Sequence, residues 1–210
     1  MTKPDAVKTI QPIESILPHR RLWSRDEFER AGELGFFGPE ERLELIGGEV
    51  VRKMTPQKTP HATSIRLAEE VLRRVAGPGF DVRVQLPLAL GTHSEPEPDI
   101  AVVVGSPRDY EVEHPTTAAL VVEVSDTTLT FDRTTKASLY ASAGVPEYWI
   151  VNLRDHALEV LREPATMADQ PFGHHYRSVT RYTESHAVTT LLAQDRPVKV
   201  DDLLPRRQSA

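Results

Sequence analysis

Two short runs, Ile100-Ala101-Val102-Val103-Val104 and Ala118-Ala119-Leu120-Val121-Val122-Glu123-Val124, constrain the fold most. Both are mostly apolar and rich in β-branched residues, with no alternation of wet and dry positions. A strand with one solvated face alternates, so unbroken runs of this kind suit strands covered on both faces. The chain must therefore supply a sheet and a layer for each of its sides.

The remaining pattern supplies both. A helix is predicted over Leu22 to Leu34, where Ser24 and Glu27 have capping-box spacing and Trp23 and Phe28 could staple its start. Leu43-Glu44-Leu45-Ile46 and Glu49-Val50-Val51 flank Gly47-Gly48 and read as a tight hairpin, because both glycines accept positive φ. Thr59-Pro60 reads as an N-cap and first helical position. After it, Ile65, Ala68, Leu72 and Val75 form one apolar stripe that stops at Gly77-Pro78-Gly79. From Phe80 the period becomes two, through Val82, Val84, Leu86, Leu88 and Leu90, which predicts one half-buried strand. Asp132 is expected to cap a helix from Arg133 to Ala143, stopped by Gly144. Strands follow at Tyr148 to Val151, Leu158 to Leu161 and Tyr176 to Thr183. We expect one α/β domain of mixed α+β type with a central sheet, over residues 21–210, after a loosely held arm at 1–20 bearing Pro4, Pro12 and Pro18.

Composition narrows the chemistry. With no cysteine, disulfide frameworks and thiolate metal sites are excluded. No apolar run approaches the roughly 20 residues needed to cross a bilayer, and Met1 to Gln11 has no signal-like apolar core, so a cytoplasmic protein is expected. The net charge of −6 argues against a basic coat over the whole surface, though a local basic groove is compatible with it. Glycine-rich phosphate loops and nucleophile elbows are absent from the sequence.

The informative anomaly is a pair of carboxylates on the buried strands. Asp99 directly precedes one run and Glu123 interrupts the other. Taking an ionised carboxylate into an apolar sheet costs several kcal/mol unless it is paired or ligates a cation. If the two strands are neighbours, Asp99 and Glu123 converge, and hard oxygen ligands of this kind suit Mg²⁺ or Mn²⁺. A buried ion pair is the competing reading. Lys136, in the first turns of the next helix, either points back to these acids or is an ordinary solvated lysine. Glu44 either joins the site from the hairpin or is the exposed member of an alternating strand, and its local sequence favours exposure. His61 reads as a capping residue or an outer neighbour of the site. His93, His174 and His175 read as loop histidines, and Tyr148 and Trp149 as core.

Taken together, Leu43-Glu44-Leu45-Ile46-Gly47-Gly48-Glu49-Val50, Met54-Thr55-Pro56, His61, Pro98-Asp99 and Leu120-Val121-Val122-Glu123-Val124-Ser125 resemble the Uma2 family of bacterial restriction-endonuclease-like proteins. Asp132, Lys136, Tyr140, Gly144-Val145 and Glu147-Tyr148-Trp149-Ile150-Val151 continue the resemblance, which runs from about Leu22 to the C-terminus. It implies the PD-(D/E)XK nuclease fold, a restriction-endonuclease-like mixed sheet flanked by helices, and metal-dependent cleavage of DNA phosphodiesters. By the same resemblance Asp99 and Glu123 are the metal ligands, joined by the Val124 carbonyl, for Mg²⁺ or Mn²⁺. Lys136 is then the motif lysine and Glu44 the upstream acid. One departure stands out: the superfamily lysine usually lies two residues after the second acid, where this chain has Ser125. DNA as substrate and a homodimer are implied partners. The alternative is a catalytically inert module that keeps the fold for DNA or protein binding, motivated by the acidity, the lack of a dense Lys/Arg run and Ser125.

Overall fold

In the computed structural model the described residues are 20–53 and 58–207. All but the last residue of the expected N-terminal arm, and the Met54-Thr55-Pro56 motif, lie outside them. The centre is a six-stranded mixed sheet in the order β3-β4-β5-β6-β7-β8. Its strands are β3 (Phe80–Val84), β4 (Ile100–Val104), β5 (Leu120–Ser125), β6 (Glu147–Asn152), β7 (Ala157–Thr166) and β8 (His174–Thr183). Only β5 and β6 pair in parallel; the other neighbours are antiparallel.

The two unbroken apolar runs are β4 and β5, and they lie side by side inside the sheet as their composition demands. Alternate residues feed two cores. On one face Val102, Leu120, Val122 and Trp149 pack with Ile65, Ala68 and Leu72 of α2 (Thr59–Ala76) and with Leu203 and Leu204. On the other face Val103, Val121, Tyr148 and Ile150 pack with Leu139 and Tyr140 of α4 (Ala137–Ser142). Each large apolar side chain so buried contributes roughly 1.5–3 kcal/mol. The hairpin β1 (Leu43–Ile46) and β2 (Glu49–Arg52) stands apart as its own two-stranded sheet, turned by Gly47 and Gly48 at φ 59° and 80°. A second small pair joins β9 (Ala187–Val188) to β10 (Val198–Lys199).

Several boundaries differ from expectation for identifiable reasons. Helix α1 (Arg25–Glu33) carries the expected reciprocal Ser24–Glu27 capping box, and Trp23 and Phe28 each pack on Phe37. Lys58, and not Thr59, is the N-cap of α2. The period-two run from Phe80 stops being a strand at Val84, because Gln85 adopts φ 50° and Pro87 has no N–H to pair. Leu88 and Leu90 are instead buried from a loop. Asp132 is not a helix N-cap. The helical segment begins earlier, at α3 (Leu129–Phe131), and runs through a π-helical turn (Asp132–Lys136) into α4. Gly144 follows its end at φ 72°. His174 and His175 start β8 rather than lying in a loop.

Candidate active site

Sheet register brings the two central acids together. Ile100 of β4 lies opposite Val122 of β5, so the next position outward sets Asp99 beside Glu123. Both side chains share a parity with Val103 and Val121 and so face the α4 side of the sheet. The backbone locks the pair: Val124 N–H donates to Asp99 Oδ2 at 2.8 Å, and Asp99 N–H donates to Glu123 Oε2 at 3.3 Å. The Val124 amide thus anchors Asp99.

The helical segment beneath supplies the cation. The extra residue in the π turn shifts the register of the side chains that follow, a device that recurs at functional sites. Lys136 closes that turn with its side chain 4% exposed. Its ammonium lies 2.8 Å from Glu44 Oε2, 2.9 Å from Glu44 Oε1 and 3.2 Å from Glu123 Oε1. One turn on, the Tyr140 hydroxyl donates to Glu123 Oε1 at 2.7 Å. Glu44 reaches the cluster from β1 and is buried, contrary to its expected exposure. The reason is that the hairpin lies over the site: Leu45 bridges Glu95, and Glu97 N–H donates to Glu44 Oε1 at 2.8 Å. Lys136 is likewise buried, which removes the solvated-lysine reading.

The site extends past the four expected residues. His61, at the start of α2, places Nε2 3.5 Å from Asp99 Oδ2. Lys53, just after β2, sits 3.2 Å from Glu44 Oε1 and also donates to the Glu97 carbonyl. Asp132, on the π turn, accepts from the Thr128 hydroxyl at 2.6 Å. A cavity of about 460 Å³ opens over these groups, and Glu44, Asp99, Glu123, Lys136, His61 and Lys53 all line it.

Burial and charge pull these groups in opposite directions. Burial, reinforced by Asp99, pushes the Glu123 carboxyl up to about 7 against the opposing Lys136 ammonium. Burial also raises Glu44, but Lys136 and Lys53 outweigh it and hold that carboxyl below its ordinary value. Asp99 is held low in the same way: burial opposes ionisation, and His61 more than offsets it. His61 in turn is raised, the Asp99 carboxylate overcoming the effect of burial.

Among the described residues no group of three or more His, Cys, Asp or Glu is arranged to hold a metal ion. The donor set is nonetheless suited to a hard cation. Magnesium keeps several waters and takes one or two protein carboxylates, and Asp99 and Glu123 offer two from adjacent strands. A carboxyl raised to about 7 is also one that a neighbouring divalent charge would return to its ionised form.

Sequence reasoning therefore named Glu44, Asp99, Glu123 and Lys136, and the fold gathers all four. Lys53 was missed, because a single lysine after a strand carries no periodic or motif signal. Tyr140 entered only through the family resemblance, and its contact with Glu123 depends on the π turn. The histidines His93 and His175 stay outside the cluster; each meets a backbone carbonyl elsewhere.

A mixed six-stranded sheet with helices on both faces, carrying paired acids on its inner strands and a lysine on the helical segment that follows, defines the nuclease class of fold. It is similar to the crystal structure of a putative nuclease belonging to DUF820 from Anabaena variabilis. That similarity has a TM-score of 0.62 at 18% identity and covers 86% of this chain and 97% of the other. No curated protein matches the chain. Residues 25–190 match Uma2, described as "Putative restriction endonuclease", and the chain belongs to that family.

Proposed function

We propose that this chain is a metal-dependent endonuclease that hydrolyses DNA phosphodiesters, with residues 21–210 acting as one nuclease domain. The observation that carries the reading is the convergence of Asp99, Glu123, Lys136 and Glu44 at one buried, solvent-open cavity. Asp99 and Glu123 would hold Mg²⁺ or Mn²⁺. When bound, such an ion polarises the scissile phosphate and lowers the pKa of an attacking water.

The chain's own groups set up that chemistry. Tyr140 and Lys136 together fix Glu123 Oε1, so the carboxylate has one orientation. Val124 N–H does the same for Asp99. Lys136 supplies a buried positive charge that offsets negative charge developing on the phosphate, and Glu44 holds its ammonium in place from the hairpin side. The cation that Ser125 lacks at the usual superfamily position is thereby replaced from the helix. This favours a working site over an inert module, as does the gathering of Arg42, Arg52, Lys53 and Lys58 around a cavity although no dense basic run exists. Two copies of the chain would act together on duplex DNA in the cytoplasm, since one site per subunit cuts one strand. No helix among the described residues is long and apolar enough to cross a membrane.

The test is nicking of supercoiled plasmid with Mg²⁺ by the wild type, Asp99→Ala and Glu123→Ala. Both variants should lose nicking while keeping the circular dichroism spectrum of the wild type. Full activity in both would overturn the assignment.

A further inference from the structure

Two ammoniums meet on one oxygen of Glu44, and they are not equivalent. Lys136 reaches the cavity lining but is nearly buried, with its side chain 4% exposed and contacts to both Glu44 and Glu123. Lys53 is 19% exposed and approaches from the hairpin, on the cavity side. Its position is fixed at both ends. Lys53 N–H donates to the Arg42 carbonyl at 2.8 Å, which prolongs the β1–β2 ladder by one step. Its ammonium donates to the carbonyl of Glu97, in the loop that also anchors Glu44. A flexible surface lysine would not be held this way, since ordering its long side chain costs rotamer entropy.

Charge accounting separates the two lysines further. Glu44 needs one counterion, and Lys136 supplies it from two contacts at 2.8 and 2.9 Å. A divalent ion on Asp99 and Glu123 would neutralise those two carboxylates. With Lys136 assigned to Glu44, the Lys53 ammonium, which otherwise faces the Glu97 carboxylate, is the cavity-side cation available to the negative charge of a phosphodiester. Arg42, Arg52 and Lys58 line the same cavity, from the open end of the hairpin and the start of α2. Of these, Lys58 pairs with Asp126 at 3.0 Å and Arg42 lies 3.9 Å from Glu97.

We propose that Lys53 is the phosphate-contacting residue of the site, donating to a non-bridging oxygen of the scissile linkage of a nucleic-acid backbone. This rests on the nuclease reading above. Lys136 is then the internal charge that organises the carboxylates, and Lys53 the cation that substrate touches.

The test is binding of a random-sequence DNA duplex in Ca²⁺, followed by fluorescence anisotropy across a salt series. Wild type, Lys53→Met and Lys53→Arg are compared, with Mn²⁺ titration calorimetry on each. Lys53→Met should bind roughly tenfold or more weakly, as loss of a charge-assisted hydrogen bond requires. Its slope of log affinity against log salt should fall by about one, the signature of one phosphate contact. Lys53→Arg should restore the slope, and all three proteins should still bind Mn²⁺, so that weaker duplex binding does not come from a lost ion. If Lys53 only pairs with Glu44, Lys53→Met will melt at a lower temperature with affinity and slope unchanged, which overturns the inference alone. A wild type that binds neither Mn²⁺ nor duplex overturns the inference together with the nuclease reading.

Discussion

Replacing Lys136 by Met should destabilise the protein in a manner that depends on pH, and the size follows from the site. The substitution keeps most of the side-chain volume but removes an ammonium lying 2.8 Å from Glu44 and 3.2 Å from Glu123. Breaking a buried ion pair costs about 3–5 kcal/mol when the stranded charge cannot escape. Here the carboxylates escape by taking up a proton. Protonating a carboxyl with an ordinary value of 4.5 costs about 1.4 kcal/mol for each pH unit above that value. The ceiling per carboxyl is therefore about 3.4 kcal/mol at pH 7 and about 1.4 kcal/mol at pH 5.5. Glu123, at about 7 already, has little further to lose, so Glu44 carries most of the effect. Lys53 still stands 3.2 Å from Glu44 and keeps the loss below the ceiling. We expect Lys136→Met to cost about 2–3 kcal/mol at pH 7 and about 1 kcal/mol at pH 5.5. Urea unfolding of both proteins in EDTA at the two pH values measures this. Equal losses at both pH values, or none at pH 7, would refute the reasoning.

Two further predictions concern groups around the site. Tyr140→Phe removes the 2.7 Å hydrogen bond to Glu123 Oε1, which raises Glu123 further and should weaken Mn²⁺ binding roughly tenfold at pH 7.5 by calorimetry; unchanged affinity would mean that the hydroxyl does not tune this carboxylate. Glu95 is pushed up to about 8 by burial and by the neighbouring Glu29 carboxyl, against the opposing charge of Arg25. The folded state therefore keeps a proton that the unfolded chain releases near 4.5, so this contribution is full below 4.5 and is lost as pH rises through about 8. Glu95→Gln mimics the protonated form, so its melting temperature relative to the wild type should rise between pH 5 and pH 8.5; a constant difference would show that Glu95 is ionised throughout.

Much of the sheet was legible because its inner strands are chemically extreme. The runs around Ile100 and Leu120 allow only positions covered on both faces, and Gly47-Gly48 allows only a tight turn. The convergence of Asp99 and Glu123 was conditional on the strands being neighbours, a long-range fact that the register of β4 on β5 supplies. Other features were hidden by the nature of their causes. The strand predicted as far as Leu90 fails at Gln85, whose left-handed backbone has no glycine or asparagine to announce it. The π turn at Asp132–Lys136 depends on packing against β6 and β8, where Tyr148 donates to the Asp132 carbonyl and His175 meets that of Arg133. Glu44 looks like a solvated member of a two-stranded hairpin until the 85–98 loop covers it. Lys53 is invisible for the same reason, since its partners lie 9 and 44 positions away in sequence.

The central claim is that Asp99 and Glu123 form one divalent-cation site. Titration calorimetry of Mn²⁺ into the wild type tests it most directly, with Asp99→Ala and Glu123→Ala alongside. The account predicts saturable binding by the wild type that both substitutions abolish without loss of the folded state. Heat of binding that survives in either variant, or a wild type that takes up no ion, would contradict it.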